Sequence, residues 1–218
     1  MATKNRSSAR ASTLDRQFGH PSGVMGSVVG YAMAIEHKKL HQAVVDRLVL
    51  SQEDKVLEIG FGPGTAVKLA ARHAAFVAGV DPSMEMVLQA KRRNGPAIRS
   101  GRVQLQRASA SALPFANETF DIVFEVNSFN HWDSKESGLT DVLRVLRAGG
   151  RFLMALRQGH GPSLESDLEM LAELLARTGF SQIECERHQL GHGGAFVTAH
   201  KPYKVTFSDL MLVLFLGG

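Results

Sequence analysis

Three glycines occupy alternate positions in the stretch GFGPG, directly after the apolar run VLEI. Glycine adopts backbone conformations that are closed to other residues, so Gly60, Gly62 and Gly64 allow a tight turn and a close approach of the backbone to a ligand. If a helix follows, its unpaired N–H groups and positive dipole end favour an anionic group beside the turn. A turn without a ligand would also tolerate these glycines, and the triad alone is weak evidence for a binding site.

A carboxylate ends the next apolar run, FVAGV, where Asp81 lies about 20 residues beyond Gly60. A carboxylate at this place can accept hydrogen bonds from both hydroxyls of a ribose. It can also act as a helix N-cap ahead of Pro82, and the two roles can coexist. A dinucleotide fingerprint requires Gly or Ala where this chain has Thr65. With Glu58 ahead of the triad, the pattern predicts an adenosine-containing ligand without a pyrophosphate.

The spacing of apolar residues predicts the strands and helices that would position these side chains. The predicted strands cover residues 55–59, 76–80, 102–107, 120–126, 151–156, 182–187 and 195–200, and the predicted helices cover residues 24–49, 65–74, 83–93, 135–147 and 164–178. Their alternation is typical of a mainly parallel sheet with helices on both faces. The last two strands have no helix between them and should form an antiparallel pair at one edge. The predicted fold is α/β and doubly wound, and such sheets bind ligands outside the carboxyl ends of their strands.

Three regions are expected along the chain: a disordered tail and N-terminal helical cap over residues 1–49, a core over residues 50–202, and an apolar C-terminal tail of unknown role over residues 203–218. Residues 1–16 are rich in Arg and Ser, as in an organelle transit peptide, but a disordered tail is the interpretation we favour. The run LMLVLFL is far too short to cross a bilayer, and we expect it to pack on the core or on a partner.

The composition is that of an ordinary soluble protein, with 218 residues, 44% hydrophobic and 21% charged. A net charge of +4 without a dense Lys/Arg tract does not indicate a nucleic-acid or membrane partner. Cys185 is the only cysteine, which excludes an internal disulfide and fits a reducing, cytoplasmic setting. It lies in a predicted edge strand, where we expect a buried or inert thiol. The oligomeric state stays open, a homodimer included.

Four stretches resemble, in order and in spacing, the class I S-adenosylmethionine-dependent methyltransferases, especially the small-molecule subset of the ubiquinone-biosynthesis type. They are VLEIGFGPGT, VAGVDPSMEMV, ASALPFANETFDIVFEVNSFNHW and VLRVLRAGGRFLM, and the resemblance covers about residues 50–200. It implies a Rossmann-like sheet of seven mostly parallel strands with an antiparallel last strand. It also implies S-adenosyl-L-methionine as cofactor, and in-line transfer of its methyl group to O, N or C of a small-molecule acceptor.

The resemblance also implies which residues hold the cofactor. They are Glu58, Gly60, Phe61, Gly62, Gly64, Thr65, Asp81, Pro82, Ser83, Ser109, Ala110 and Glu125. Within this set, Glu58 would lie near the methionine amino group and Asp81 would hold the ribose. Glu125 would begin the segment 125–129, which would pass under the sulfonium. Ser109 and Ala110 would approach the adenine. Many relatives carry Asp in place of Ser109, so here the serine hydroxyl or the Ala110 backbone would have to replace that carboxylate.

Methyl transfer from a sulfonium requires alignment of donor and acceptor, and it requires a base only when the acceptor must lose a proton. His131, in NSFNHW at the mouth of the sheet, is the candidate base or acceptor-orienting group; alternatively it caps or packs the next helix beside Trp132. His20 is a second candidate if the N-terminal segment folds over the pocket. His37 and His41 have a spacing known from metal sites, but no third ligand is evident and no metal is predicted.

Two other function classes fit the same elements. One is a nicotinamide- or flavin-dependent oxidoreductase, which Thr65 and the antiparallel end disfavour, and the other is a non-catalytic module that keeps the fold. The segment EVNSF lacks the Asn/Asp-Pro-Pro-aromatic stretch with which DNA amino-methylating enzymes of this fold hold a flipped base, so no nucleic-acid partner is predicted. An apolar lid from residues 18–31 would suit a small, partly hydrophobic acceptor.

Overall fold

The computed structural model describes residues 38–157, 164–190 and 193–203. The chain divides after Leu40, within the helix that spans residues 38–47, and the sheet and the site below belong to the second unit. The helices are α1 (residues 38–47), α2 (Thr65–Ala70), α3 (Met84–Arg93), α4 (Gly95–Arg99), α5 (Lys135–Val145) and α6 (Leu164–Thr178). The strands are β1 (Lys55–Ile59), β2 (Phe76–Asp81), β3 (Val103–Arg107), β4 (Phe120–Val126), β5 (Leu146–Arg157), β6 (Ser181–His188) and β7 (Gly194–His200). None of the helices in these ranges is both long and apolar enough to cross a membrane.

The strands form one seven-stranded sheet in the order β3-β2-β1-β4-β5-β7-β6. The pairs β1·β2, β1·β4, β2·β3 and β4·β5 are parallel, whereas β7 is antiparallel to both β5 and β6. This arrangement confirms the prediction of an α/β, doubly wound, mostly parallel sheet with an antiparallel pair at one edge. The last strand, β7, inserts between β5 and β6, so β6 forms one edge of the sheet and β3 forms the other.

The central strand β1 is covered on both faces. Val56 and Leu57 are both fully buried although successive side chains of a strand point to opposite faces. Leu57 belongs to the apolar core that α5 and α6 complete, with Leu139 and Leu175 among its buried members. Burial on both faces explains why this strand is continuously apolar in sequence, as is usual in parallel sheets.

The join between α5 and β5 differs from the prediction. The helix was expected to reach residue 147 and to end at Gly149-Gly150, but it ends at Val145, and β5 begins at once. The two glycines pair instead with the chain beyond β7: the Gly149 N–H donates to the Lys201 carbonyl, and the Lys201 N–H donates to the Gly150 carbonyl. This pairing comes with a shift of register between β4 and β5, a long-range feature that local periodicity does not reveal.

The strand order reverses between β1 and β4. From β1 the chain builds outward through β2 and β3, and it then returns to start β4 on the other side of β1. Ligands of doubly wound sheets bind at such a switch point, outside the carboxyl ends of the strands. The residues that follow or end β1, β2 and β4 are therefore the ones expected to meet at a site.

Candidate cofactor and active site

The glycine loop after β1 depends on backbone conformations that side chains resist. Gly60, Gly62 and Gly64 have φ values of 70°, 50° and 76°, all in the left-handed region. The Gly60 N–H donates to the Val80 carbonyl at 2.8 Å, which anchors the loop to the end of β2. A Cβ atom on Gly60 would lie 2.7 Å from Oγ of Ser128, so the loop also packs directly against the chain after β4.

Asp81 closes the glycine loop from the end of β2. Its Oδ2 accepts from the Gly62 N–H at 2.8 Å, and its Oδ1 accepts from the Ser83 N–H at 2.9 Å. Each carboxylate oxygen has two acceptor positions, so the two backbone donors leave acceptor capacity on both atoms. The alternative role of Asp81 as helix N-cap is wrong, because the Ser83 hydroxyl caps α3 by accepting from the Met86 N–H at 3.4 Å.

A cavity of about 420 Å³ opens beside these residues at the carboxyl ends of β1, β2 and β4. Six of the predicted site residues line it: Gly60, Asp81, Pro82, Ser109, Ala110 and His131. Three more lining residues, Val126, Asn127 and Ser128, belong to the segment 125–129 that the resemblance places under the sulfonium. The other four were not predicted, because the sequence offers no pattern that distinguishes a cavity wall at these positions from an ordinary strand end or loop: Ile59, Ala108, Trp132 and Asp133.

Other predicted cofactor residues lie around the loop without lining the cavity. Phe61 is buried, and its ring fills the space that a Cβ atom on Gly79 would occupy. A Cβ atom on Gly64 would lie 2.7 Å from that of Ala90, so Gly64 allows the start of α2 to pack on α3. The hydroxyl of Thr65 accepts from the Arg93 guanidinium at 3.1 Å. The structure thus gives Phe61 and Gly64 packing contacts and gives Thr65 a hydrogen bond.

Glu58 lies beneath the loop and is almost completely buried, with 1% of its surface exposed. Burial raises the pKa of its carboxyl well above the ordinary value, and the nearby carboxylates Asp81 and Glu125 raise it further. The Val67 N–H, in α2, donates to it and opposes that shift. Its Oε2 has no hydrogen-bond partner among the described residues, so the carboxyl could accept a donor from a ligand or hold a proton.

Glu125 shapes the segment that follows β4. Its Oε2 accepts from the N–H groups of Ser128 and Phe129 at 2.6 and 2.9 Å, and it lies 3.0 Å from the hydroxyl oxygen of Ser128. Burial raises the pKa of this carboxyl to about 7, and these hydrogen bonds oppose a larger shift. Glu125 does not line the cavity; it fixes the backbone turn that does.

Asn127 is a cavity residue that the sequence did not single out. Its φ of 55° is one that Asn tolerates better than most residues, and its N–H donates to the Ala155 carbonyl at 2.8 Å. Its side-chain Oδ1 is buried and has no hydrogen-bond partner within the described part of the chain. A buried acceptor without a partner in a cavity wall points to a ligand that donates to it.

His131 and Trp132 take different roles in the wall. His131 ends a 3₁₀ helix, Phe129–His131, is exposed, and donates its N–H to the Ser128 carbonyl at 2.9 Å. The Trp132 indole donates to Oγ of Ser128 at 3.3 Å, and its ring occupies the space left by Gly138 in α5. Trp132 therefore makes the packing contact with α5, and the imidazole of His131 is left free to face a molecule in the cavity.

The hydroxyls of Ser109 and Ser111 and the carboxylate of Asp133 form a hydrogen-bonded chain at the cavity wall. Oγ of Ser109 lies 2.9 Å from Oγ of Ser111, which donates to Oδ2 of Asp133 at 2.7 Å. The hydrogen bond from Ser111 is the main cause that lowers the pKa of Asp133. Ser109 and Asp133 line the cavity at the two ends of this chain.

The remaining candidates lie elsewhere. Cys185 is exposed on the edge strand β6, so of the two alternatives, a buried or an inert thiol, burial is wrong and the inert thiol stays a prediction. Partial desolvation raises the pKa of this thiol. No group of three His, Cys, Asp or Glu side chains that could hold a metal ion occurs among the described residues. His20, His37, the lid over residues 18–31 and the apolar run LMLVLFL lie outside the described residues.

The fold, the glycine loop and the acid that ends β2 resemble those of the class I S-adenosylmethionine-dependent methyltransferases. A family profile described as "Methyltransferase domain" matches residues 57–154, which run from β1 into β5. The chain is 31% identical over 169 residues to the O-methyltransferase resE of Aspergillus sclerotiorum. That match covers 70% of this chain and 64% of the relative, so the chain spans somewhat less than two thirds of that relative's length.

Solved structures share the fold at lower identity. The cyclase SpnF superposes with a TM-score of 0.65 at 22% identity, over 76% of this chain and 82% of SpnF. Phosphoethanolamine N-methyltransferase 2 of Haemonchus contortus, solved with S-adenosyl-L-methionine, superposes with a TM-score of 0.65 at 22% identity, over 75% of this chain and 52% of the enzyme. At this identity the likeness concerns the fold alone.

The residues of this chain fit S-adenosyl-L-methionine. Asp81 has acceptor capacity left for ribose hydroxyls, and Oδ1 of Asn127 lacks a donor at the wall of the same cavity. A side chain at Gly60 would collide with Ser128, so glycine at this position lets the loop pack against the segment after β4. Oε2 of Glu58 and Oε1 of Glu125 are also buried without a hydrogen-bond partner among the described residues. S-adenosyl-L-methionine is therefore the cofactor for which the site is built.

Proposed function

We propose that this protein is an enzyme that transfers a methyl group from S-adenosyl-L-methionine to a small-molecule acceptor, with an oxygen atom as the favoured target. The observation that carries the proposal is one cavity at the strand switch point whose wall combines Asp81, Asn127 and His131. The relative from Aspergillus sclerotiorum, described as an O-methyltransferase, supports the choice of oxygen. The acceptor itself is left to experiment.

Different residues of the cavity would bind different groups of the cofactor. Asp81 would accept from the ribose hydroxyls while its bond to the Gly62 N–H keeps the loop closed. Oδ1 of Asn127 would accept from a donor group of the cofactor. When bound, the cofactor supplies an electrophilic methyl group on a sulfonium, and the protein's main contribution is then to hold the acceptor in line with it.

His131 would serve an acceptor that must lose a proton. It is exposed at the cavity wall, held by the 3₁₀ helix, and the neighbouring indole takes the packing contacts. A neutral imidazole can accept the proton of a hydroxyl as the new bond to carbon forms. We propose His131 as that base or as the group that orients the acceptor.

The proposal extends to partners and location. We propose a cytoplasmic enzyme that acts on a small molecule, without a nucleic-acid or membrane partner, and a homodimer is the assembly to test first. The absence of a dense Lys/Arg tract supports the first part. Light scattering on a sizing column would give the assembly, and gel-shift assays at physiological salt would reveal a nucleic-acid partner.

Two experiments test the proposed function against its alternatives. Calorimetric titration with S-adenosylhomocysteine should show one site per chain, and titration with NADH should show none; the reverse would favour an oxidoreductase. Incubation with methyl-labelled cofactor and a panel of phenols, hydroxy acids and amines should label one class of acceptor. Cofactor binding without any transfer would favour a non-catalytic module, or a different reaction on the same fold, as the cyclase SpnF illustrates.

A further inference from the structure

A second cavity, of about 330 Å³, lies between α6 and the 3₁₀ helix Phe129–His131. Phe129 and Asn130 line it, whereas His131 lines the cofactor cavity, so this short helix separates the two cavities. Among the described residues, none lines both cavities. The volume of the second cavity is within the range of small-molecule sites, roughly 300–1,000 Å³. It is therefore a candidate binding site in its own right.

The walls of the second cavity are mostly aliphatic. Leu156, near the end of β5, lies on one side, and one face of α6 supplies the rest of the apolar surface with Leu164, Leu168, Leu171 and Leu174. Leu168 and Leu171 are buried, but Met170, which also lines the cavity, is 59% exposed. The cavity thus extends from the core to the surface. Each methylene group that an aliphatic ligand buries there should strengthen binding by about 3- to 4-fold.

Two cations line the same cavity, and neither forms an ion pair within the described part of the chain. Arg157 ends β5 and is exposed. Nζ of Lys135 lies 5.3 Å from the centre of the Phe129 ring, so its contact is with an aromatic face and not with a carboxylate. Asp167 is the one carboxylate among the described lining residues. These residues therefore carry an excess of one positive charge, which favours a ligand with a single negative group.

We propose that the second cavity binds a medium-chain aliphatic carboxylate, with its alkyl chain along the leucines of α6 and its carboxylate at Lys135 and Arg157. A guanidinium can donate two parallel hydrogen bonds to a carboxylate, and an ammonium can donate a further one. The inference goes beyond the proposed function, because it requires neither the cofactor nor methyl transfer. It adds a second ligand, on the other side of the 3₁₀ helix that carries His131.

Three eight-carbon probes separate the contribution of the head group from that of the alkyl chain: octanoate, 1-octanol and octylammonium. Calorimetric titration of the full chain should give octanoate a lower Kd than 1-octanol by about 2- to 5-fold, the scale of an exposed charge pair. Octylammonium should bind more weakly than 1-octanol, because its charge has the same sign as the excess charge of the cavity. Hexanoate should bind about 10-fold more weakly than octanoate, because it buries two methylene groups fewer.

Charge variants test where the carboxylate lies. Arg157→Gln should weaken octanoate binding by about 2- to 5-fold and leave the Kd of 1-octanol unchanged. Asp167→Asn should strengthen octanoate binding by about the same factor, because it removes the opposing carboxylate. Arg177→Gln is the matched control, since Arg177 is exposed near the end of α6 and lies outside the cavity. All three positions are exposed, and melting temperatures would show that each variant is folded.

Each result decides for or against the carboxylate site. Weaker octanoate binding in Arg157→Gln and stronger binding in Asp167→Asn, with no change in Arg177→Gln, would support it. Absence of octanoate binding, equal Kd values for the three head groups, or an unchanged Kd in Arg157→Gln would overturn it. Competitive displacement of octanoate by S-adenosylhomocysteine would also overturn it, because the probe would then occupy the cofactor cavity. Failure of the protein to bind S-adenosylhomocysteine would instead overturn the proposed function and leave this site intact.

Discussion

Gly60 and Ser128 are in direct contact although they lie at the ends of different strands. A Cβ atom on Gly60 would come within 2.7 Å of Oγ of Ser128, whose hydroxyl donates to the Ile59 carbonyl at 2.8 Å. The glycine loop and the segment after β4 are thus joined along one wall of the cavity. A substitution at this contact should therefore disturb both the glycine loop and the segment after β4.

Gly60→Ala is expected to destabilise the fold more than Gly62→Ala. Both glycines have left-handed φ values, which cost an alanine about 1–2 kcal/mol, but only Gly60 also has a close neighbour, because nothing lies within 4 Å of a Cβ on Gly62. Denaturant unfolding of the two variants would give the difference in free energy. Equal losses in the free energy of unfolding would show that Ser128 can move away from the added methyl group at little cost.

Asp81→Ala is expected to weaken S-adenosylhomocysteine binding by about 1.5–3 kcal/mol, the range for hydrogen bonds to a charged group. Because Asp81 also holds the Gly62 N–H, part of that loss would come from the loop. Titration with the 2′-deoxy analogue separates the two causes. The deoxy change should weaken binding to the wild type and have little further effect on the variant; additive losses would mean that Asp81 does not contact the ribose.

Glu125→Gln is expected to change how stability depends on pH. The folded-state pKa of about 7 lies above the ordinary value of 4.5, so the folded protein binds more protons than the unfolded chain, and stability falls as pH rises between these values. The neutral amide removes this dependence and should raise the free energy of unfolding relative to wild type by up to about 3 kcal/mol above pH 7. Urea unfolding at pH 5 and pH 8 measures it, with Glu136→Gln as control. Parallel pH profiles for wild type and Glu125→Gln would contradict the raised pKa.

Asn127→Gly is expected to weaken cofactor binding by about 3- to 10-fold with little change in the melting temperature. Glycine keeps the left-handed backbone at this position and deletes only the side-chain amide. Val49→Gly is the matched control, since it also replaces a left-handed residue, in this case one that is 78% exposed. Unaltered affinity in Asn127→Gly would show that Oδ1 meets no cofactor donor.

His131→Ala is expected to lower the rate of methyl transfer to hydroxyl acceptors by about 100-fold or more while it leaves the Kd of S-adenosylhomocysteine unchanged. His73→Gln, at an exposed histidine after α2, is the control for loss of an imidazole. The rate for acceptors that carry no exchangeable proton should fall less. An equal loss for both kinds of acceptor would leave His131 an orienting role and exclude it as the base.

The sequence by itself determined the architecture and the position of the site along the chain. Apolar runs of strand and helix length are local patterns, and their alternation allows few topologies, so the doubly wound sheet could be predicted. The glycine loop and Asp81 could be located because they follow directly on such runs, where parallel strands bring their carboxyl ends together.

Only the tertiary structure decided which way each side chain turns. Gly64 packs against α3, Glu125 turns back to the backbone of its own loop, and Asn127 and Asp133 enter the cavity wall. These outcomes depend on contacts between segments that are distant in sequence and on loop dihedrals that no periodicity encodes. The glycine loop could therefore be located from the sequence, whereas the hydrogen-bonding groups that face the cavity could be identified only from the packing of the folded chain.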